Sequence, residues 1–158
     1  MSCFFDTHVL VYLFDRTDSI KRLQAQTLVA EHMRARDLVL STQVLQELFV
    51  TLTRKNFLAG ADALEVVTTF AQERVVPAST DLVLRGLALS QRRQLSAWDA
   101  LILQAALDAD CTTLYSEDFQ TGARFDDLEV VNPFVLAVHQ PGPARAKAPA
   151  RKGARRKA

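Results

Sequence analysis

Cysteine is scarce in this chain: Cys3 and Cys111 are the only two in 158 residues. Two are too few for a disulfide framework at this length, and both read as small buried hydrophobes. No apolar stretch reaches the roughly 18 residues needed to cross a bilayer. No basic segment precedes the first apolar residues, so no signal peptide is expected either. An intracellular, cytoplasmic protein is the default expectation. No internal repeat is present. From Pro141 onward the sequence has neither an acidic nor a large apolar residue.

That last segment, "PGPARAKAPARKGARRKA", holds Arg145, Lys147, Arg151, Lys152, Arg155, Arg156 and Lys157. Seven of the 19 basic residues lie there, leaving 12 basic against 18 acidic residues in positions 1–140 and a net charge of −6 on that body. A segment of this composition cannot bury enough surface to offset the entropy of ordering. The expectation is one domain over 1–138 and a disordered basic tail over 139–158. The overall content, 49% hydrophobic and 23% charged, is that of a globular protein with a sizeable core.

Apolar runs and helical periods alternate along the body. Short strands are expected at 3–5, 37–41, 74–78, 112–116 and 128–132, the third ended by Pro77 and the last by Asn132-Pro133. Helical patterns are expected at 8–15, 19–35, 42–55, 61–72, 80–93 and 96–109, with Ser41 or Thr42 and Ser96 as starts. Strands separated by helices pair in parallel, because a parallel crossover needs a long connection. The expected fold is a three-layer α/β/α sandwich with a central parallel sheet.

In such folds ligands bind outside the carboxyl ends of the strands. Four acids from distant segments should reach that edge. Asp6 interrupts the apolar run "FFDTHVLVYLFD", where a carboxylate is costly unless something pairs with it. Glu47 lies early in the helix after the second strand, on the flank of the Val44–Leu45–Leu48–Leu52 stripe. Asp99 completes "SAWD" at a helix start, and Asp118 follows the "TTLYS" strand. Each has a plain alternative: a helix cap for Asp6, a capping box for Asp99, a solvated flank for Glu47 and a turn for Asp118. Together they repel. Two unit charges 4 Å apart oppose each other by about 4 kcal/mol at an effective dielectric of 20. Such a set raises its own pKa values or recruits a hard divalent cation such as Mg²⁺ or Mn²⁺.

The motifs "FFDTHVLVYLFD", "STQVLQELFVTLTRK", "LSAWDALILQAAL" and "LYSEDFQTG", in this order, resemble the PIN-domain nucleases, including the toxin ribonucleases of the VapBC systems. The resemblance covers about residues 3–136. It implies an Mg²⁺- or Mn²⁺-dependent endoribonuclease with Asp6, Glu47, Asp99 and Asp118 as its acidic quartet. Asp6, Asp99 and Asp118 would be the direct metal ligands. Glu47 would act through water or as the acceptor for the attacking water. The hydroxyls of Thr7 and Ser116 match positions that orient these carboxylates. Glu117 and Asp118 are adjacent, and register would exchange them. His8 stands where many members have Asn or Ser, and reads first as a helix-start residue. The resemblance also implies RNA as substrate, a homodimer, and for the toxin branch an antitoxin protein that reaches the acidic site, often with an Arg.

Other classes remain open. One is a catalytically inactive, nucleic-acid- or partner-binding module of the same fold. Another is an aspartyl-phosphate phosphatase or receiver, which also has an Asp at a strand end. The phosphatase would want an acid two residues after Asp6, where His8 stands, and the receiver a Lys on the last strand, which "LEVVNPF" lacks.

Overall fold

The computed structural model describes residues 1–135. The basic segment expected as a tail, 139–158, lies outside the described residues. The chain opens on strand β1 (Cys3–Phe5), then runs through helices α1 (Thr7–Val11) and α2 (Ser19–Ala35), strand β2 (Leu38–Ser41), helices α3 (Thr42–Arg54) and α4 (Gly60–Phe70), and strand β3 (Arg74–Val76). Helices α5 (Thr80–Arg93) and α6 (Ala97–Asp108) follow, then strands β4 (Thr113–Tyr115), β5 (Arg124–Phe125) and β6 (Leu128–Val131). The six strands form one sheet in the order β3-β2-β1-β4-β6-β5. The expected α/β fold with a central parallel sheet holds, with one correction at its edge. Strand β5 was not foreseen and pairs antiparallel to β6, with Arg124 opposite Glu129. Asp126 and Asp127 form the turn between them, and Asp126 takes a positive φ of 54°. Two residues carry too little hydrophobic pattern to announce a strand.

Strand β1 is the axis. It pairs in parallel with β2 on one side and β4 on the other, registering Cys3 with Leu38 and with Thr113. Phe4, Phe5, Leu40 and Leu114 are fully buried on these three strands. Each such side chain stabilises the fold by roughly 1.5–3 kcal/mol relative to exposure. The topology reverses direction between β1 and β4, which opens a crevice at their carboxyl ends.

Helix starts are set by hydroxyls and carboxylates. Ser41, Ser79 and Ser96 each accept the backbone N–H three residues on, and Asp18 does the same for α2. Helix α1 is shorter than the expected 8–15. It ends at Val11, and Leu13 and Phe14 continue as turns bonded to Leu10 and Val11. Among the described residues no helix is long and apolar enough to cross a membrane.

Helices α5 and α6 approach closely at Gly86, where an added Cβ would stand 2.7 Å from Leu101 Cδ2 and 3.4 Å from its Cα. Gly86→Val should therefore lower stability by about 1–3 kcal/mol through overpacking. Gly60→Ala at the start of α4, with nothing within 4 Å, should be neutral or stabilising. Urea midpoints for the two variants check this; equal midpoints would contradict the packing.

Candidate active site

The crevice at the carboxyl edge of the sheet is a cavity of about 510 Å³. Asp6, Glu47, Asp99 and Asp118 all line it, so the structure brings the four foreseen acids together. Asp6 leaves β1 and caps α1, its Oδ1 accepting the Thr7 N–H at 2.7 Å. Its Oδ2 accepts the Ser116 hydroxyl at 2.6 Å, across the β1–β4 gap. Ser116 Oγ in turn accepts the Asp118 N–H at 3.1 Å. One hydroxyl thus ties the first acid to the backbone of the last. Glu47 is held from both sides: Thr7 donates to Oε2 at 2.6 Å and Gln43 Nε2 to Oε1 at 2.9 Å. The helix-cap alternative for Asp6 is therefore also true, and it leaves the carboxylate at the cavity.

Asp99 sits in the first turn of α6. Ser96 Oγ accepts the Asp99 N–H at 3.1 Å, which satisfies the cap with the serine alone. Among the described residues no hydrogen bond engages the Asp99 carboxylate. The neighbours Glu117 and Asp118 separate cleanly. Glu117 faces away, accepting from Lys21 Nζ at 2.7 Å and from the Tyr12 hydroxyl at 2.8 Å. Lys21 Nζ also lies over the rings of Tyr12 and Phe134. Asp118 turns into the cavity and bonds His8 Nδ1 at 2.8 Å.

His8 is more than the helix-start residue expected of it. Desolvation pulls its pKa down, but the bond and charge of Asp118, with Asp6 and Glu117 behind them, pull harder, so the net shift is upward. Local sequence carries no signal for this pair, because the two residues are 110 positions apart. Asp6 is 5% exposed. Burial pushes its carboxyl up to about 6, and the negative Asp118 adds to that, against the opposing Ser116 and Thr7 hydrogen bonds.

The donor set is all oxygen, which fits Mg²⁺ or Mn²⁺. A buried, desolvated carboxylate beside others is a group that a cation would relieve. Among the described residues, the only Cys, His, Asp and Glu set with ligand atoms all within 4.8 Å of one another is Cys3, His32 and Asp37, away from this cavity. In that trio both ring nitrogens of His32 already have partners. His32 Nδ1 bonds Asp37 at 2.7 Å, its other nitrogen meets the Tyr115 hydroxyl at 3.3 Å, and its ring packs on Phe5 and Tyr115. Both cysteines are buried free thiols, and burial pushes Cys111 up to about 12.

The chain is thus a doubly wound α/β protein with four carboxylates lining the crevice at its switch point. Residues 3–127 match the PIN domain family, and the chain belongs to it. No curated protein matches the sequence. Among solved structures, the chain is similar to the Mycobacterium tuberculosis VapC20 toxin, which cleaves the sarcin-ricin loop, with a TM-score of 0.59 and 22% identity over 75% of this chain and 90% of that one. It is similar to a toxin–antitoxin complex from Klebsiella pneumoniae, with a TM-score of 0.61 and 23% identity over 84% and 98%. VapBC2 from Rickettsia felis, bound to a DNA fragment from its promoter, gives 0.59 and 15% over 82% and 97%. At these identities the likeness is one of fold.

Proposed function

We propose that this protein is a metal-dependent endoribonuclease and the toxin of a toxin–antitoxin pair. The observation that carries the reading is the quartet of acids, from four elements, lining one crevice around a buried Asp6. The inactive-module reading is less favoured, because the supporting hydroxyls of Thr7 and Ser116 are as intact as the acids. The phosphatase and receiver readings lack their second acid and their lysine.

Asp6, Asp99 and Asp118 would hold Mg²⁺ or Mn²⁺. The ion would neutralise charge on the phosphoryl oxygens and lower the pKa of a bound water. Glu47, fixed by Thr7 and Gln43, is positioned to accept from the attacking water. Ser116 keeps Asp6 and the Asp118 backbone in register across the gap. His8 Nδ1, bonded to Asp118 Oδ2 at 2.8 Å, holds that carboxylate at the cavity. Arg54, which lines the same cavity, is available to a substrate phosphate. The test is cleavage of end-labelled RNA with Mg²⁺ or Mn²⁺, with EDTA as control. RNA that remains intact, or cleavage indifferent to EDTA, would overturn the reading.

Partners follow from the same reading. An acidic crevice on a body of charge −6 suits an antitoxin that presents a basic side chain to it. The family also leads to a homodimer. Light scattering at tens of micromolar should give twice the chain mass, and a monomer throughout that range would contradict it.

A further inference from the structure

Trp98 is the chain's only tryptophan and is 66% exposed. Helix α6 buries Ala100, Ile102, Leu103, Ala105 and Ala106 in the core, and Trp98 takes no such place. Its backbone is nevertheless fixed. It lies in the first turn of α6, behind the Ser96 cap, and its carbonyl accepts from Gln43 Nε2 at 3.3 Å. The same Gln43 amide donates to Glu47. One side chain therefore couples the tryptophan backbone to the acidic wall. Trp98 lines the same cavity as Asp6, Asp99 and Asp118, with Val50 and Arg54 nearby.

We propose that Trp98 is a nucleobase-stacking subsite that holds an unpaired base of the nucleotide next to the scissile phosphodiester. This rests on the ribonuclease reading and adds to it the residue that would receive an unpaired base. The cavity supplies three things such a nucleotide needs. The indole offers a flat, exposed π-face to the base. Arg54 offers a cation to the neighbouring phosphate. Asp99, the next residue, belongs to the acidic wall where the bond would break. Stacking tolerates every base, because every base has a π-face. The subsite therefore selects unpaired nucleotides over paired ones and does not by itself read sequence. A base inside a duplex presents no free face to the indole.

A single tryptophan makes the test direct, since all tryptophan emission comes from Trp98. Full-length Asp118→Asn protein in Mg²⁺, titrated with a short single-stranded RNA, should show quenched emission, and the same RNA annealed to its complement should not quench. In an otherwise unchanged chain, Trp98→Ala should raise KM for the single strand by roughly 10- to 100-fold and leave kcat within a few-fold. Trp98→Phe should recover most of the KM. An abasic nucleotide walked along the RNA should abolish the quench at one position. There it should also remove the difference between Trp98→Ala and the parent. Parent and Trp98→Ala with equal KM on an RNA that both cleave would overturn the subsite and leave the ribonuclease reading standing. So would loss of kcat at unchanged KM, which would mean that Trp98 only supports Asp99. Emission that responds to protein dilution and not to RNA would show a second copy covering the indole. Failure of the parent to cleave any RNA would overturn both.

Discussion

Asp99→Asn should reduce RNA cleavage by roughly 10³-fold while changing stability by less than about 1 kcal/mol. The two halves come from different atoms. The helix cap at this position uses the Asp99 backbone N–H and the Ser96 hydroxyl, and both survive the substitution. No hydrogen bond to the carboxylate is lost among the described residues. What is lost structurally is one negative charge in the first turn of α6, worth about 0.3–1 kcal/mol through the helix dipole. What is lost functionally is one of three carboxylates that would hold the cation, and with it several kcal/mol of charge stabilisation. At 1.36 kcal/mol per tenfold, that is about three orders of magnitude. Single-turnover cleavage in Mg²⁺ and Mn²⁺, with a urea melt of the same preparation, checks both. A variant that cleaves within a few-fold of the parent would remove Asp99 from the site. A variant that fails to fold would mean that its carboxylate is structural.

The sheet was legible because its strands are short apolar runs bounded by Pro77, Asn132-Pro133 and serine caps, and period and punctuation agree there. The quartet was legible because strand ends and helix starts share one edge in such a sheet, so sequence position alone brings Asp6, Glu47, Asp99 and Asp118 to the rim. Other features were out of reach for identifiable reasons. Strand β5 has two residues and exists because it pairs with β6. Helix α1 stops at Val11 although the apolar pattern runs on, because Leu13 and Phe14 pack on the core from turns. The orientations of Glu117 and Asp118 depend on which partner each one meets, Lys21 or His8. Those partners are 96 and 110 positions away, and nothing in a local window encodes them. Trp98 was readable only as part of a capping pattern, because exposure and cavity lining are tertiary facts.

Asp6→Asn should stabilise the metal-free protein by about 1–3 kcal/mol at pH 7.5, although it removes a group from the centre of the site. Burial and Asp118 raise the Asp6 carboxyl from 3.8 to about 6 in the folded state. The folded chain therefore holds a proton there that the unfolded chain has already released between about pH 4 and pH 6. In that window the Asp6 contribution to stability falls as pH rises. The contribution is fully present below about 3.8 and gone above about 6, where the buried charge must be carried. Asparagine carries none. Its Oδ1 keeps the Thr7 N–H bond, and its amide can donate to the Ser116 oxygen that now donates to Asp6. The stability difference between variant and parent should be small at pH 4 and grow to its full size by pH 7, since every group outside the site titrates alike in both. Saturating Mg²⁺ or Mn²⁺ should shrink or reverse that difference. A cation bound only by the parent adds RT ln(1 + [M]/Kd), about 2.7 kcal/mol at a hundredfold excess over Kd. Paired urea melts across pH 4–7.5, in EDTA and in metal, measure all of this. If the variant is less stable than the parent in EDTA at pH 7.5, or if the difference is flat with pH, the Asp6 carboxylate is not a strained charge awaiting a cation.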